Sequence, residues 1–395
     1  MPIDSLAEIS AGYWGASEPD EKASRAVDVI RNGDLTAAGL RGTSAHRFFK
    51  EREADRSELL PDDLVMTSSG DCGKLAYIES SGLHASNFIK RIRINVDSVL
   101  ARWLYFALQA PISRQARDPF VSGTTIQNLK KGYFSEPFLS IPPLPEQGRI
   151  VEVLEDQISR LDTALESVQA VREKAAQFRR SLLHAAFTGA LTGHDVKDGE
   201  LPEGWTWARV GEVTENHDGV RVPVKRADRA KMQGEYPYYG ASGVIDHVDQ
   251  YLFDGRYLLV SEDGANLTAR TKPIAFEATG RFWVNNHAHV LTALSGVSQR
   301  YLMYLIDQSS LDGLVTGTAQ PKITQRNLVK IPVPLPQLEE QERIVEILED
   351  QLSRLDASFA VGDAVEERSA ALRRSLLHSA FTGRLTEEWR EAVNV

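Results

Sequence analysis

Apolar residues recur every seven positions in two segments of the chain, residues 142–192 and 336–386. In the first segment the repeat consists of Leu154, Leu161, Val168, Ala175 and Leu182. This spacing is typical of a coiled-coil seam, so it predicts a long helix whose apolar face needs a partner. Prolines at 142, 143 and 145 suit the start of this helix, and Gly189 suits its C-terminal cap. About 45 residues at 1.5 Å each give a length of roughly 65 Å.

The two segments are copies of each other. Residues 142–192 align without a gap onto 336–386, with 32 of 51 positions identical. The chain is therefore a tandem repeat, in which each half is a variable block followed by a shared helical block. In the second copy, Gly362 and Ser369 fall on the seam and weaken its middle. We predict that the two helices pack antiparallel, related by a pseudo-twofold axis, through Leu154, Leu161, Leu165, Leu182, Leu348, Leu355 and Leu376.

The variable blocks have a mixed pattern. Short β-branched or aromatic runs at 257–260, 273–276, 281–284 and 288–291 predict strands, and residues 99–110 and 300–306 predict helices. The fold class is therefore α/β: two globular domains and two long antiparallel helices. The predicted domains are a first variable block at 1–141, a first helix at 142–192, a Gly- and Asp-rich linker at 193–204, a second variable block at 205–335, a second helix at 336–386 and a tail at 387–395.

Composition narrows the class of protein. The 395 residues include 45 basic and 55 acidic side chains, and this net charge of −10 lowers the expectation of a nucleic-acid partner. The acid excess lies mostly after residue 336, however, so either variable block could present a basic face. The single cysteine, Cys72, excludes a disulfide framework and a multi-thiolate zinc site. With no signal-peptide pattern and no apolar run of roughly 20 residues, we expect a cytoplasmic protein that does not enter a membrane.

Catalytic motifs are missing from the sequence. Residues 69–74 resemble a phosphate-binding loop, but Leu75 stands where a Ser or Thr would hold magnesium. His287 and His289 could share one face of a strand, yet no third metal ligand lies near them in the sequence. We therefore expect no catalytic residue, no metal and no cofactor in this chain.

Loops that mix basic, amide and hydroxyl side chains are the candidates for nucleic-acid contact, because these groups reach phosphates and base edges. In the first block the candidates are Arg41, Arg47, Ser68, Ser69, Lys74, Lys90, Arg91, Arg114 and Arg117. In the second block they are Arg221, Lys225, Arg226, Arg229, Arg270, Lys272, Asn285, Asn286, His287, Thr318, Gln320 and Lys322. Such clusters occur in both halves, which strengthens the interpretation for the set as a whole.

Four motifs match segments of one known protein family. They are residues 143–155 with their copy at 335–349, the Ser-Leu-Leu-His-Ala-Ala-Phe-Thr-Gly ending at 181–189 with its copy, Leu-Pro-Glu-Gly-Trp at 201–205, and Thr-Gly-Thr-Ala-Gln-Pro-Lys-Ile-Thr at 316–324. By these motifs the chain resembles the specificity subunit of type I restriction-modification enzymes over essentially its whole length. The first half departs from the pattern, since it lacks the Leu-Pro-x-Gly-Trp motif and residues 123–126 keep only part of the Gly-Thr segment.

The resemblance implies a non-catalytic, DNA-binding subunit that serves in phage defence. Its two variable blocks would be target-recognition domains, each reading half of a bipartite sequence in double-stranded DNA, and the helices would hold them apart. Two methyltransferase subunits using S-adenosylmethionine would dock on it, and restriction subunits using ATP and Mg²⁺ would join them. The residues alone leave another interpretation open, a coiled-coil scaffold that presents two protein-binding domains without DNA.

Overall fold

A computed structural model describes residues 1–36, 39–43, 45–195, 197, 199–317 and 320–393. The chain forms two compact units: unit 1 contains Met1–Gln169 and Asp363–Val395, and unit 2 contains Ala170–Gly362. Both boundaries fall inside long helices. Each unit therefore contains the start of one long helix and the end of the other.

The two long helices run from Leu144 to Thr188 and from Leu338 to Phe381, which confirms the helices predicted from the shared segments. Pro145 lies in the first turn of the first helix, where its missing N–H costs nothing. Gly189 and Gly383 follow the two helices with φ of +83° and +80°. That left-handed conformation is the usual reason for glycine at the end of a helix.

Within each unit, the start of one long helix packs against the end of the other. In unit 1, Leu154 shares a buried core with Leu377, and Arg373 donates a hydrogen bond to Asp162 at 3.1 Å. In unit 2, Leu348 shares a core with Leu182, and the guanidinium of Arg179 lies 3.3 Å from Asp356. The two ion pairs occupy matching positions of the repeat. Within each unit the two helices are therefore antiparallel, as the sequence predicted, and the two pairings repeat each other.

The apolar face differs in detail from the heptad seam. Leu154, Leu182 and Leu348 are buried, whereas Leu161, Leu165, Leu355 and Leu376 are half-buried. Val171 and Phe178, which flank the heptad positions, are 56% and 45% exposed. A straight helix has 3.6 residues per turn, so a strict seven-residue repeat drifts around its surface. The apolar face near the helix ends also packs against the variable blocks, as the mixed cores show.

A repeated glutamine ties each variable block to a long helix. The buried side chain of Gln147 accepts a hydrogen bond from Leu100 N at 2.8 Å and donates one to Ser98 O at 2.8 Å. Gln341, its copy, accepts from Ser298 N at 2.8 Å. The neighbouring Glu146 accepts from Thr386 and Glu340 accepts from Thr192, again as matching pairs. These contacts explain why the Glu-Gln pair occurs in both copies.

Unit 1 holds two four-stranded sheets. The first is antiparallel and has the order Ala7–Ala11, Ile89–Ile94, Leu64–Thr67, Leu75–Tyr77. The second has the order Ala45–Phe49, Arg25–Ile30, Leu83–Ala85, Glu58–Leu59, with its central pair parallel. Two-stranded pairs join Leu35–Thr36 to Gly39–Leu40 and Val121–Ser122 to Asn128–Leu129. The shorter α-helices are Glu51–Ser57, Ala101–Gln109, Pro111–Arg117 and Glu387–Val393.

Unit 2 is built on a six-stranded sheet. Its order is Thr214–Asn216, Ala288–Ala293, Phe253–Ser261, Ala275–Val284, Tyr236–Gly240, Gly243–Val248, and the fourth and fifth strands are parallel. Two-stranded pairs join Thr206–Arg209 to Pro332–Leu335 and Val315–Thr316 to Lys322–Ile323. The shorter α-helices are Val210–Val213, Arg226–Arg229, Asn266–Ala269, Gln299–Gln308 and Gln325–Leu328.

The cores of the two variable blocks have the same architecture, although the sequences of the blocks differ. The first four strands of the six-stranded sheet of unit 2 follow the same order along the chain as the antiparallel sheet of unit 1. In each unit an amphipathic helix, Ala101–Gln109 or Gln299–Gln308, shares a core with that sheet and with a long helix. The duplication therefore extends from the helices to the variable blocks.

Candidate nucleic-acid interface

Three loops meet at the same place in each unit, and we call each group a three-loop cluster. In unit 1 the cluster consists of residues 68–74, 86–88 and 121–129. In unit 2 it consists of residues 262–274, 285–287 and the described residues 315–317 and 320–323. Each cluster combines the loop after a core strand, the turn before the neighbouring strand and a short hairpin.

The same backbone hydrogen bonds build both clusters. Leu129 N donates to Ser68 O at 2.9 Å, and Ile323 N donates to Glu262 O at 2.8 Å. Gly70 N donates to Gln127 O at 2.8 Å, and Gly264 N donates to Pro321 O at 3.0 Å. The turn is fixed in the same way, because Ser68 N donates to Phe88 O and Glu262 N to His287 O, both at 2.8 Å. Two sequences with few identities thus specify one backbone arrangement.

A glycine is required at the same position of each hairpin. Gly123 has φ of +111° and Gly317 has φ of +84°. A Cβ at Gly123 would lie 2.2 Å from Ile126 O, and one at Gly317 would lie 2.5 Å from Gln320 O. The glycine of the Gly-Thr segment, which is incomplete in the sequence of the first half, therefore has the same role there. Thr318, a candidate contact, lies outside the described residues.

A charged network supports the hairpin of unit 2. The buried Glu262 pairs with Arg221 at 2.6 Å and with Lys322 at 2.8 Å, and Arg221 also pairs with Asp218 at 3.3 Å. Burial acts to raise the pKa of Glu262, but hydrogen bonds from Lys322 and Arg221 outweigh it and lower the pKa. The pKa of Asp218 is lowered despite its burial, chiefly by a hydrogen bond with His289. These ion pairs hold Ile323 and its hairpin against the sheet.

Asp218, Glu262 and His289 are close enough to suggest a cation site, since their ligand atoms lie within 4.8 Å of one another. Each already has a protein partner, however. Arg221 contacts both carboxylates, and His289 Nε2 lies 3.0 Å from Ile323 O. The two carboxylates are thus already paired with Arg221 and Lys322 and hydrogen-bonded to His289, and the group is a structural network of polar contacts.

One position differs in chemistry between the two clusters. His287 has Nδ1 2.8 Å from Asp263, its side chain is 45% exposed, and its Nε2 has no partner among the described residues. At the equivalent turn of unit 1 lies Phe88, 41% exposed, which packs edge to face against Trp14, 58% exposed. The same backbone site therefore presents an oriented hydrogen-bonding ring in unit 2 and an apolar surface in unit 1.

Several candidate residues are accessible. Arg41, Arg114, Lys225, Arg226, Lys272, Asn286 and Gln320 are exposed, and their side chains make no hydrogen bond or ion pair with any residue that the structure describes. Arg47 and Lys90 are half-buried, and burial lowers the pKa of Lys90. Lys74 pairs with Asp71 at 3.1 Å and remains partly exposed.

Other candidates have partners inside the fold. Arg91 is buried in a strand and donates to Arg56 O and Glu58 O, both at 3.1 Å. Arg221 belongs to the network above. Arg229 pairs with Asp246 at 2.9 Å, and Arg270 donates to Asp307 O at 2.6 Å. A guanidinium inside the fold needs such acceptors, so these groups already have internal partners.

Four further candidates also lie partly or wholly inside the fold. Asn285 is buried and accepts a hydrogen bond from His287 N at 2.8 Å. Ser68 and Ser69 are buried at the strand end, with Ser68 Oγ donating to Phe88 O at 2.9 Å. Arg117 lies over Gly73 and donates to its carbonyl at 3.3 Å. Their positions shape the clusters.

Trp14, Phe88 and Asp263 are site residues that the sequence did not single out. Trp14 and Phe88 lack the basic or amide groups that marked the candidates. For Asp263 a signal was present, because it precedes Gly264, which aligns with Gly70 at the repeat spacing.

Two similar domains, each ending in a glycine hairpin and each anchored on a shared pair of helices, define a duplicated recognition protein. Among such proteins, this chain belongs to the family of type I restriction modification DNA specificity domains, whose family model matches residues 1–169 and 202–357. The resemblance seen in the four motifs is thereby confirmed, and the recognition of DNA sequence is the task of this family. The two matched segments correspond to the two halves of the tandem repeat.

Individual relatives agree with this assignment. A putative type I restriction enzyme specificity subunit of Haemophilus influenzae is 33% identical over 144 residues, or 36% of either chain. The EcoBI specificity subunit of Escherichia coli is 25% identical over 99% of this chain and 86% of its own length.

Solved structures show the same fold. A chain from a study of complex assembly and conformational transition in a type I R-M system superposes with a TM-score of 0.67 at 16% identity, covering 97% of both chains. The HsdS subunit from Thermoanaerobacter tengcongensis superposes with a TM-score of 0.55 at 17% identity, covering 97% of this chain and 96% of its own. In the described part of this chain, no helix has the length and apolar character to cross a membrane.

Proposed function

We propose that this chain reads a bipartite DNA target, with one three-loop cluster contacting each half-site. The main support for the proposal is that the three-loop cluster occurs in both units. The two clusters have the same backbone arrangement and expose different side chains. Contacts to phosphates position a protein on DNA, whereas contacts to base edges specify the sequence. A constant scaffold with variable exposed groups is suited to reading two different half-sites.

The exposed groups indicate which chemistry each cluster uses. In unit 2, Asp263 accepts a hydrogen bond from Nδ1–H of His287, so Nε2 is left for a hydrogen bond to a base edge. The nearby amides of Asn286 and Gln320 add donors and acceptors. In unit 1, Phe88 and Trp14 offer an apolar surface that suits a thymine methyl group.

We also propose the partners of the complex. Two methyltransferase subunits with S-adenosylmethionine would supply base methylation, and restriction subunits with ATP and Mg²⁺ would supply DNA translocation and cleavage. This chain would contribute recognition and assembly in the cytoplasm and no catalysis. Support comes from the relatives, which are specificity subunits by name, and from the solved chain that belongs to a complex-assembly study.

Exchange of one domain tests the proposed function. Residues 205–335 are replaced by the second domain of another family member, and the hybrid is expressed with the cognate methyltransferase subunit. Methylome sequencing should show one half of the methylated sequence changed and the other half retained. Changes in both halves, or methylation independent of this chain, would contradict modular reading. Absence of any sequence-selective, salt-sensitive DNA binding by the complex would favour the protein scaffold instead.

A single substitution tests the reading group. His287→Phe removes the hydrogen-bonding edge and should relax or change specificity at one base of the second half-site, with roughly tenfold weaker discrimination there. His247→Phe is the matched control, because His247 is exposed on an edge strand of the same unit. Specificity that stays unchanged in the His287 variant would remove this side chain from the reading set.

A further inference from the structure

A basic cleft occurs in each unit, at the junction between a variable block and the end of a long helix. In unit 1 it measures about 470 Å³, and in unit 2 about 580 Å³. Three structural parts line both clefts. They are the first loop of the three-loop cluster, which follows a core strand, the last residues of the amphipathic helix, and an arginine of the long helix. The arginines, Arg373 and Arg179, are copies of each other in the repeat.

The clefts carry a net positive charge. Five basic residues line the cleft of unit 1: Lys74, Arg114, Arg117, Arg373 and Arg374. Asp71 pairs with Lys74, Asp118 with Arg117 and Asp162 with Arg373, so the basic residues outnumber their acidic partners. The Nε atom of Arg117 is buried and has no hydrogen-bond partner in the described part of the chain. In unit 2 the basic residues are Arg179, Arg270 and Lys272, and the one acid, Asp307, already accepts a hydrogen bond from Ile274 N at 2.7 Å.

We propose that these clefts bind phosphate groups of the DNA backbone, so that the shared helices take part in DNA binding beside the variable loops. The proposal rests on the proposed function and extends it to residues that the two halves have in common. Arg373 and Arg179 are held in place by Asp162 and Asp356, which keeps their guanidinium groups at the clefts. Arg374 and Lys272 have no partner among the described residues and are free to meet an anion.

DNA is favoured over an acidic protein by the position of the clefts. The loop that lines each cleft is the same loop that forms part of the three-loop cluster, so a duplex on the cluster brings its backbone to the cleft. Phosphates are the same at every base step, whereas the two half-sites differ in sequence. Residues identical in both repeats are therefore suited to phosphates, and the differing exposed groups to bases.

The test uses the full chain in complex with its methyltransferase subunits. Arg374→Gln, Lys272→Gln and the double variant are compared with wild type on a duplex that carries the methylated target and on a scrambled duplex, at several salt concentrations. Each lost charge should weaken binding to both duplexes roughly three- to tenfold, and the slope of log affinity against log salt should become shallower by about one. Arg374→Lys should retain the slope.

Arg160→Gln and Arg354→Gln are the matched controls, because these repeat-related arginines are exposed on the long helices and line neither cleft. They should bind as wild type does. Unchanged affinity and slope in the cleft variants would overturn the proposal, as would relaxed specificity at one base. Loss of the methyltransferase from the purified complex would overturn it too, and would assign the clefts to a protein partner. Failure of the proposed function is separately visible, since wild type would then bind both duplexes equally.

Discussion

The guanidinium of Arg270 closes the carboxyl end of the helix Gln299–Gln308. It donates to Leu267 O at 3.1 Å, to Asp307 O at 2.6 Å and to Ser309 O at 2.9 Å, and its own φ is +48°. Burial lowers the pKa of this group, although the side chain of an arginine remains charged at any ordinary pH. Arg270 is thus a basic loop residue whose hydrogen bonds stabilise the fold.

Arg270→Gln should therefore destabilise the protein without a direct effect on DNA specificity. The loss of charge-assisted hydrogen bonds to helix-end carbonyls costs about 1–3 kcal/mol. Urea denaturation measures this cost, and Lys272→Gln, two residues away and exposed, should leave the free energy of unfolding nearly unchanged. A normal unfolding midpoint for Arg270→Gln together with altered base preference would return Arg270 to the contact residues.

Acid should weaken the ion-pair network under the hairpin of unit 2. The pKa values of Glu262 and Asp218 lie below their ordinary values of 4.5 and 3.8, so the folded state favours both carboxylates. Their contribution to stability is complete above those values and is lost as pH falls through them to the lower folded pKa values. Glu262→Gln should flatten the loss of stability between about pH 5 and pH 3, whereas Glu235→Gln on the surface should not. Parallel curves for all three proteins would contradict the prediction.

At the scale of elements, the packing of the long helices rests on a few fully buried leucines. Leu154 and Leu348, copies in the repeat, have no exposed surface. Leu154→Ala or Leu348→Ala should cost about 2–5 kcal/mol, because each leaves a cavity in a mixed core of helix and variable block. Val171→Ala should cost far less, since Val171 is exposed. Equal midpoints in urea for the Leu348 and Val171 variants would show that the pairing is wrong.

Elements with a strong period could be predicted from the sequence, and others could not. The helices follow from their heptads, and the strands Phe253–Ser261 and Ala288–Ala293 follow from β-branched runs. The strand Ile89–Ile94 was interpreted as a basic loop, because Lys90, Arg91 and Arg93 conceal its apolar residues. Likewise Arg114 and Arg117, which the sequence analysis assigns to a loop, lie on the helix Pro111–Arg117. In the strand, two of these charges are paired by contacts distant in sequence, Arg91 with Glu8 at 3.2 Å and Arg93 with Asp63 at 2.6 Å.

At the scale of the whole molecule, the duplication of the helices could be predicted from the sequence, whereas the duplication of the variable blocks could not. A shared strand order requires apolar residues at core positions, and many sequences satisfy this requirement without identity. The three-loop clusters were equally hidden, because their common features are backbone hydrogen bonds and two glycines. The base sequence that they read depends on loop contacts and DNA shape, for which a single chain contains no visible code.

Lengthening both helices tests whether they set the spacing of the half-sites. Four residues inserted into each, near Val168 and near Gly362, add about 6 Å and about 1.1 turns, so the apolar faces stay nearly in register. At about 3.4 Å per base pair, the unspecified spacer in the methylated sequence should grow by one or two base pairs. The DNA turns by roughly 34° per base pair, which favours one added pair over two. Methylome sequencing gives the spacer directly, and an active variant with the original spacing would mean that the helices do not set it.

The division of the chain between the units also fixes an order of events at the ribosome. Unit 2 is one continuous stretch, Ala170–Gly362, whereas unit 1 needs both Met1–Gln169 and Asp363–Val395. The first variable block is therefore synthesised first and completed last, since the face around Leu154 stays uncovered until Leu377 and Ala380 emerge. During that interval the nascent chain exposes an apolar surface to which chaperones can bind and through which the chain can aggregate. A ribosome that stops before residue 363 releases a product with one complete unit and one unfinished unit, which quality control can recognise by that surface.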